Sequence, residues 1–209
     1  NQFLQFENIT SFVPALTNLS TNPLEPKYAT HLVYLTKANN KKSIETRILE
    51  SILSKRPKRA DVYWLIHIER ADDPYTMEYA IEEIEHDRII RVEFKLGFRI
   101  QPRVNLLFRR VLQDMLDHHE LDAGCGQSGF NKHNITADIR YVMIQRFLSV
   151  ENEFSLKEGF ILKSYFWLSR LGLSDKKAFG LDLSDTKIEK IPLVVTPIHT
   201  IPLKRMATI

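Results

Sequence analysis

The sequence predicts an α/β fold: a mixed β-sheet with about three main helices, built as a single soluble domain preceded by a linker. Three observations predict it. Two strand-like apolar runs, His31-Leu-Val-Tyr-Leu-Thr36 and Ala60 to Ile68, flank a stretch of helical periodicity, which is a β-α-β unit. The second run is apolar on both faces, Val62, Trp64, Ile66 and Ile68 against Tyr63 and Leu65, as suits a parallel strand covered on two sides. Farther on, Ile90, Val92, Phe94 and Leu96 alternate with Arg91, Glu93 and Lys95, the pattern of a half-solvated antiparallel strand. Parallel and antiparallel pairing together make the sheet mixed.

Residues 1–28 carry three prolines and Asn/Thr/Ser clusters around Phe12-Val-Pro-Ala-Leu16 and read as a linker, with the α/β domain at 29–209. After the first strand, Ser43 offers an N-cap, and Ile44, Ile48, Leu49 and Ile52 recur at helical spacing until Pro57, giving a helix from Ser43 to Ser54. Asp72-Asp-Pro-Tyr75 is turn chemistry, followed by strands Met77 to Ile84 and Ile89 to Leu96 joined around His86-Asp87. Past Pro102, the residues Val104, Leu107, Phe108, Val111, Leu112, Met115 and Leu116 form an apolar stripe, so Arg103 to His118 is a helix whose stripe is core. Gly124 to His133 reads as a loop, Ala137 to Leu148 as a long strand, and Ser155 to Gly172 as a second long helix. Its apolar residues, Phe160 to Leu162 and Tyr165 to Leu168 among them, cover more than one face, for core burial or contact with a membrane surface. The chain closes in extended segments, Ile188 to Val195 and Ile198 to Leu203, which Pro192, Pro197 and Pro202 confine to sheet edges.

At 209 residues the chain is one large domain or two small ones, able to bury a core without disulfides. Its 44% hydrophobic and 26% charged residues are globular averages, and a net charge of +3 is too small to mark a nucleic-acid binder. One cysteine excludes a disulfide framework and any multi-cysteine zinc site. No apolar run reaches the ~18 residues needed to cross a bilayer. The first residues form no signal peptide, and a start at Asn1 reads as a piece of something longer. The sequons at Asn8, Asn18 and Asn134 read as accidental.

Gly124-Cys-Gly-Gln-Ser-Gly129 matches the letters of a dinucleotide-binding loop but follows a helix and does not lead into one, so a flexible connection is preferred. A soluble nucleotide-binding or cysteine-dependent enzyme using this loop, with Cys125 near His118, His119 or His133, is the alternative. His118-His119 with Asp117, Glu120 and Asp122 reads as a solvated helix end rather than a metal site, because adjacent helical residues diverge. No catalytic or metal-binding residue and no cofactor is assigned. Lys55, Arg56, Lys58 and Arg59 form the densest basic run, and with Arg99, Arg103, Arg109 and Arg110 they would make a basic rim for an anionic headgroup or nucleotide. Scattered solvated charge is the competing reading.

Lys27-Tyr-Ala-Thr-His-Leu-Val-Tyr-Leu-Thr36 resembles the segment that opens the cytosolic tail of KUP/HAK/KT potassium uptake transporters. Further landmarks follow in that family's order: the basic helix end Ser54 to Arg59, the Asp72 to Tyr75 turn, Leu96-Gly-Phe98, Gln101-Pro-Arg-Val104, Arg146-Phe-Leu148 and Phe179-Gly-Leu-Asp182 with Ile188-Glu189. The acidic residue expected before Pro102 and the proline expected after Gly180 are absent, and the Gly124 to Asn134 loop has no counterpart. The resemblance implies a cytosolic regulatory or assembly domain without enzymatic activity. Its parent lies in the cell membrane and takes up K⁺, coupled to H⁺, with K⁺ bound only by the membrane part. Expected partners are that transmembrane domain, a second copy in a homodimer, a cyclic dinucleotide at the basic rim of Lys55, Arg56, Lys58, Arg59, Arg99 and Arg103, and the membrane surface. No nucleic acid is expected.

Overall fold

A computed structural model describes residues 5–54, 56–118, 120–121, 138–148, 179–181 and 186–193. In chain order the elements are β1 (Phe6–Asn8), a 3₁₀ turn (Ile9–Ser11), α1 (Val13–Thr21), β2 (Lys27–Leu35), β3 (Ser43–Glu45) and α2 (Thr46–Leu53). β4 (Arg59–Ala71), β5 (Met77–Glu85), β6 (Ile89–Gly97), α3 (Val104–Asp117), β7 (Ile139–Leu148) and β8 (Thr186–Leu193) follow. Six strands form one sheet in the order β5-β6-β4-β2-β7-β8, and β1 pairs with β3 apart from it. β2 runs parallel to β4 and β7, β4 runs parallel to β6, and β5 returns antiparallel to β6. The sheet is mixed, as the alternation of patterns predicts. Pro192 falls on β8, an edge strand among the described residues, where a missing N–H is tolerated.

Two compact units divide the chain: Asn1–Ile144 with Asp175–Ile188, and Gln145–Ser174 with Glu189–Ile209. Only strand ends are described in the second. In the first, the period of two in each strand sorts side chains onto opposite faces. Val33, Val62, Trp64, Ile66, Ile90, Val92 and Phe94 meet Val104, Phe108, Val111, Leu112 and Met115 of α3. On the other face Leu32, Tyr34, Tyr63, Leu65 and Ile89 meet Leu16 and Leu19 of α1 and Ile48, Leu49 and Ile52 of α2. Burying a Leu or Ile fully is worth roughly 1.5–3 kcal/mol, so these two cores hold three layers together.

Several details differ from the sequence reading or go beyond it. The segment expected as a linker contains β1, α1 and the start of β2, with Ile9 and Leu16 each 1% exposed. Three α-helices are described, but α1 is one of them, while the expected helix Ser155 to Gly172 lies outside the described residues. α2 begins at Thr46, not Ser43, because Ser43 to Glu45 pair antiparallel with β1. Nor is the charged face of β6 open to water throughout: Arg91 is 0% exposed.

Candidate functional site

The basic residues singled out in the sequence do not gather into one rim. Lys55 lies outside the described residues, and Arg56 is exposed. Lys58 is buried, its ammonium donating to the Ser51 carbonyl and, at 3.0 Å, to Ser51 Oγ. Arg59 reaches the carbonyls of Ser20 and Glu25 at 3.2 and 3.1 Å. These charges satisfy the carbonyl end of α2 and fasten α1 to the start of β4. Nearby, Arg88 Nη1 donates to Ser20 Oγ at 2.9 Å, and Lys27 pairs with Asp61 at 2.6 Å. The buried Tyr63 hydroxyl bridges the Lys58 carbonyl and the Ala60 N–H, and burial pushes its pKa up to about 12.

Arg99 and Arg103 stand at the other end of the sheet. The 13 residues of β4, at ~3.3 Å each, put about 40 Å between the Arg59 end and the end where β4 and β6 finish. There Arg99 Nη1 donates to the Tyr75 hydroxyl at 3.0 Å, with the guanidinium 5.9 Å from the ring centroid. Arg70 donates to the carbonyls of Gly97 and Ile100 at 3.2 and 2.8 Å. Gly97 passes so close to the backbone of Asp73 and Pro74 that no side chain would fit. Arg103 is exposed at the N-terminus of α3. The N–H of Val104 donates to Phe179 at 2.8 Å, and Gly180, in the left-handed region at φ 64°, lies against the Arg103 backbone. Four landmark segments thus converge: the Asp72 to Tyr75 turn, Leu96 to Phe98, Gln101 to Val104 and Phe179–Gly180. Arg109 and Arg110 are exposed farther along α3.

Two buried polar groups escaped the sequence reading. The indole N–H of Trp64 donates to Nδ1 of His31 at 3.1 Å, and burial, with Lys27 nearby, lowers the His31 pKa to about 3. Arg91 donates to the carbonyls of Ala38, Asn40 and Ser43 at 2.5, 3.1 and 3.4 Å and pairs with Glu93 at 3.0 Å. It therefore holds the loop after β2, which Glu45 also grips through the Thr36 hydroxyl and the Lys37 N–H, both at 2.6 Å. An alternating strand gives no sign of a loop crossing its polar face.

Of the cysteine–histidine alternative, Cys125, His119 and His133 and the whole Gly124 to Gly129 loop lie outside the described residues. His118 is exposed at the end of α3, and a hydrogen bond from its ring to the Asp114 carbonyl, at 2.7 Å, raises its pKa. Glu83 at the end of β5 and His86 and Asp87 in the turn after it bring potential ligand atoms within 4.8 Å of one another. Among the described residues no helix is long and apolar enough to cross a membrane.

Residues 29–199 match the family described as the K⁺ potassium transporter C-terminal domain. A probable potassium transport system protein Kup of Cytophaga hutchinsonii is 42% identical over 202 residues, which cover 97% of this chain and 31% of that protein. The Kup protein of Flavobacterium johnsoniae is 43% identical over 198 residues, 95% of this chain and 30% of its own length. That of Clostridium perfringens is 33% identical over 203 residues, 97% and 30%. The chain thus spans under a third of these relatives, and no solved structure matches it significantly. It belongs to the K⁺ potassium transporter C-terminal domain family, as the C-terminal domain of a KUP-type transporter.

Proposed function

We propose that this domain sits on the cytoplasmic side of the cell membrane and regulates or helps assemble a K⁺ uptake transporter, with uptake driven by H⁺ symport. K⁺ is handled by the membrane part alone, and the domain acts by contacting its own transmembrane domain differently in two transport states. The observation that carries this reading is the match of nearly the whole chain to about one third of proteins named for potassium transport. Ligand sensing is assigned to the Arg99–Arg103 end. Both arginines are exposed there, whereas Lys58 and Arg59 are engaged with α1 and α2. An anion of the cyclic dinucleotide class is the proposed ligand, held by charge-assisted hydrogen bonds to guanidinium groups.

The test is K⁺ uptake by the parent transporter with and without everything from Thr30 onward. Truncation should change the rate of uptake, or its response to cytoplasmic effectors, and leave discrimination of K⁺ from Na⁺ intact. Lost discrimination would place permeation chemistry in this domain. Unaltered rate and response would remove its regulatory role.

A further inference from the structure

Five of the seven large hydrophobic residues exposed among the described ones, Tyr75, Met77, Tyr79, Phe98 and Leu106, belong to the β5 side of the first unit. Among the described residues β5 is an edge strand, with β6 on one side only. The Gly97 N–H donates to the Thr76 carbonyl at 2.8 Å, which fixes the phase of the antiparallel ladder. Residues 76, 78, 80 and 82 then turn their backbone groups toward β6, and Met77, Tyr79 and Ile81 turn theirs outward. The Tyr79 hydroxyl donates to Asp114, which anchors the stripe Leu106, Arg110 and Asp114 of α3 beside this edge. Leu106 is 55%, Met77 58% and Tyr75 63% exposed, so large apolar side chains on this side of the first unit are open to water. The opposite side of β5 presents Glu78, Ala80 and Glu82, the last of them 3.8 Å from Lys41, and the strand carries four glutamates and no base of its own.

We propose that this edge takes up an extended segment of a partner protein in which apolar and basic residues alternate. β6 already shows the chemistry of such a neighbour: its Leu96 and Phe94 stand opposite Met77 and Tyr79, and its Lys95 and Arg91 stand opposite Glu78 and Glu82. An incoming strand would repeat that arrangement on the outer side, with apolar side chains over Met77, Tyr79 and Leu106 and cations over Glu78 and Glu82. A second copy of this strand is disfavoured as occupant, because it would bring four more glutamates to an acidic edge.

The probe is a capped peptide alternating lysine with valine and phenylalanine, titrated into the 209-residue chain while amide hydrogen exchange is followed residue by residue. Binding should slow exchange at Met77, Tyr79 and Ile81 and leave the already paired residues 78, 80 and 82 unaltered. Met77→Lys, a change at an exposed side chain, should weaken binding at least tenfold with the thermal midpoint unchanged. The proposal is overturned by any of three results: no added protection at the odd positions, equal protection by a glutamate-substituted peptide, or slow exchange there in the free chain. The last would mean that the chain itself or a second copy already holds the edge.

Discussion

The imidazole of His31 is 1% exposed and accepts the Trp64 N–H at 3.1 Å on Nδ1, so its own proton resides on Nε2 and the ring is neutral. Its pKa falls to about 3 from the ordinary 6.5, chiefly through burial. Above pH 6.5 the ring is neutral in both folded and unfolded chains and contributes no pH dependence. Between pH 6.5 and about 3 the unfolded chain binds a proton that the native chain refuses, so stability falls as pH falls. The slope approaches ~1.4 kcal/mol per pH unit from this group. Urea unfolding from pH 7 to 4 should show that decline, and His31→Gln should flatten it; an unchanged slope would show that other groups set the acid limit. Arg91 carries a related lesson. The alternation in β6 correctly places Arg91 opposite the apolar face, but the sequence equates that face with water. What buries Arg91 is the loop Ala38 to Ser43, roughly fifty residues earlier, and no local pattern announces a contact so distant in the chain.

Elements whose apolar period is visible over a single window, α3, β4 and the β5–β6 hairpin, are legible in the sequence to within a few residues. α1 is not. Pro14 stands in its first turn, where a missing N–H costs nothing, and the surrounding Asn, Thr and Ser suggest irregular chain. Its helical state depends on docking: Leu16 and Leu19 enter the α2-side core, and Ser20 Oγ donates to the Asp61 carbonyl of β4 at 3.2 Å. Leu16→Ala should therefore lower unfolding free energy by about 2–4 kcal/mol, a core truncation rather than a surface change. Chemical denaturation checks this, and a loss below ~0.5 kcal/mol would mean that α1 contributes nothing to the fold. The same non-locality misplaces the start of α2, where pairing of Ser43 to Glu45 with β1 overrides a serviceable N-cap.

Across the whole molecule, separation in sequence and separation in space part company. Lys58 and Arg59 lie at one end of the sheet and Arg99 and Arg103 at the other, so one anion cannot bridge them. Double replacement Arg99→Ala, Arg103→Ala should leave the unliganded thermal midpoint unchanged and abolish stabilisation by cyclic di-AMP; persistent stabilisation would remove the proposed site. The family assignment, by contrast, was legible, because it rests on short landmarks in a fixed order. Where those landmarks meet is not legible locally, because the bond from the Val104 N–H to Phe179 joins segments far apart in the chain. At the start of the chain, Gln5 accepts from Thr46, β1 lies along β3, and Ile9 donates to Lys42, all within ten residues of the first described one. Displacing the chain at Phe6 would therefore strain its bonds to β3 and the bond that Gln5, the residue before it, accepts from Thr46. The first described residues are thus fastened along β3 and α2 and packed into the core of the first unit.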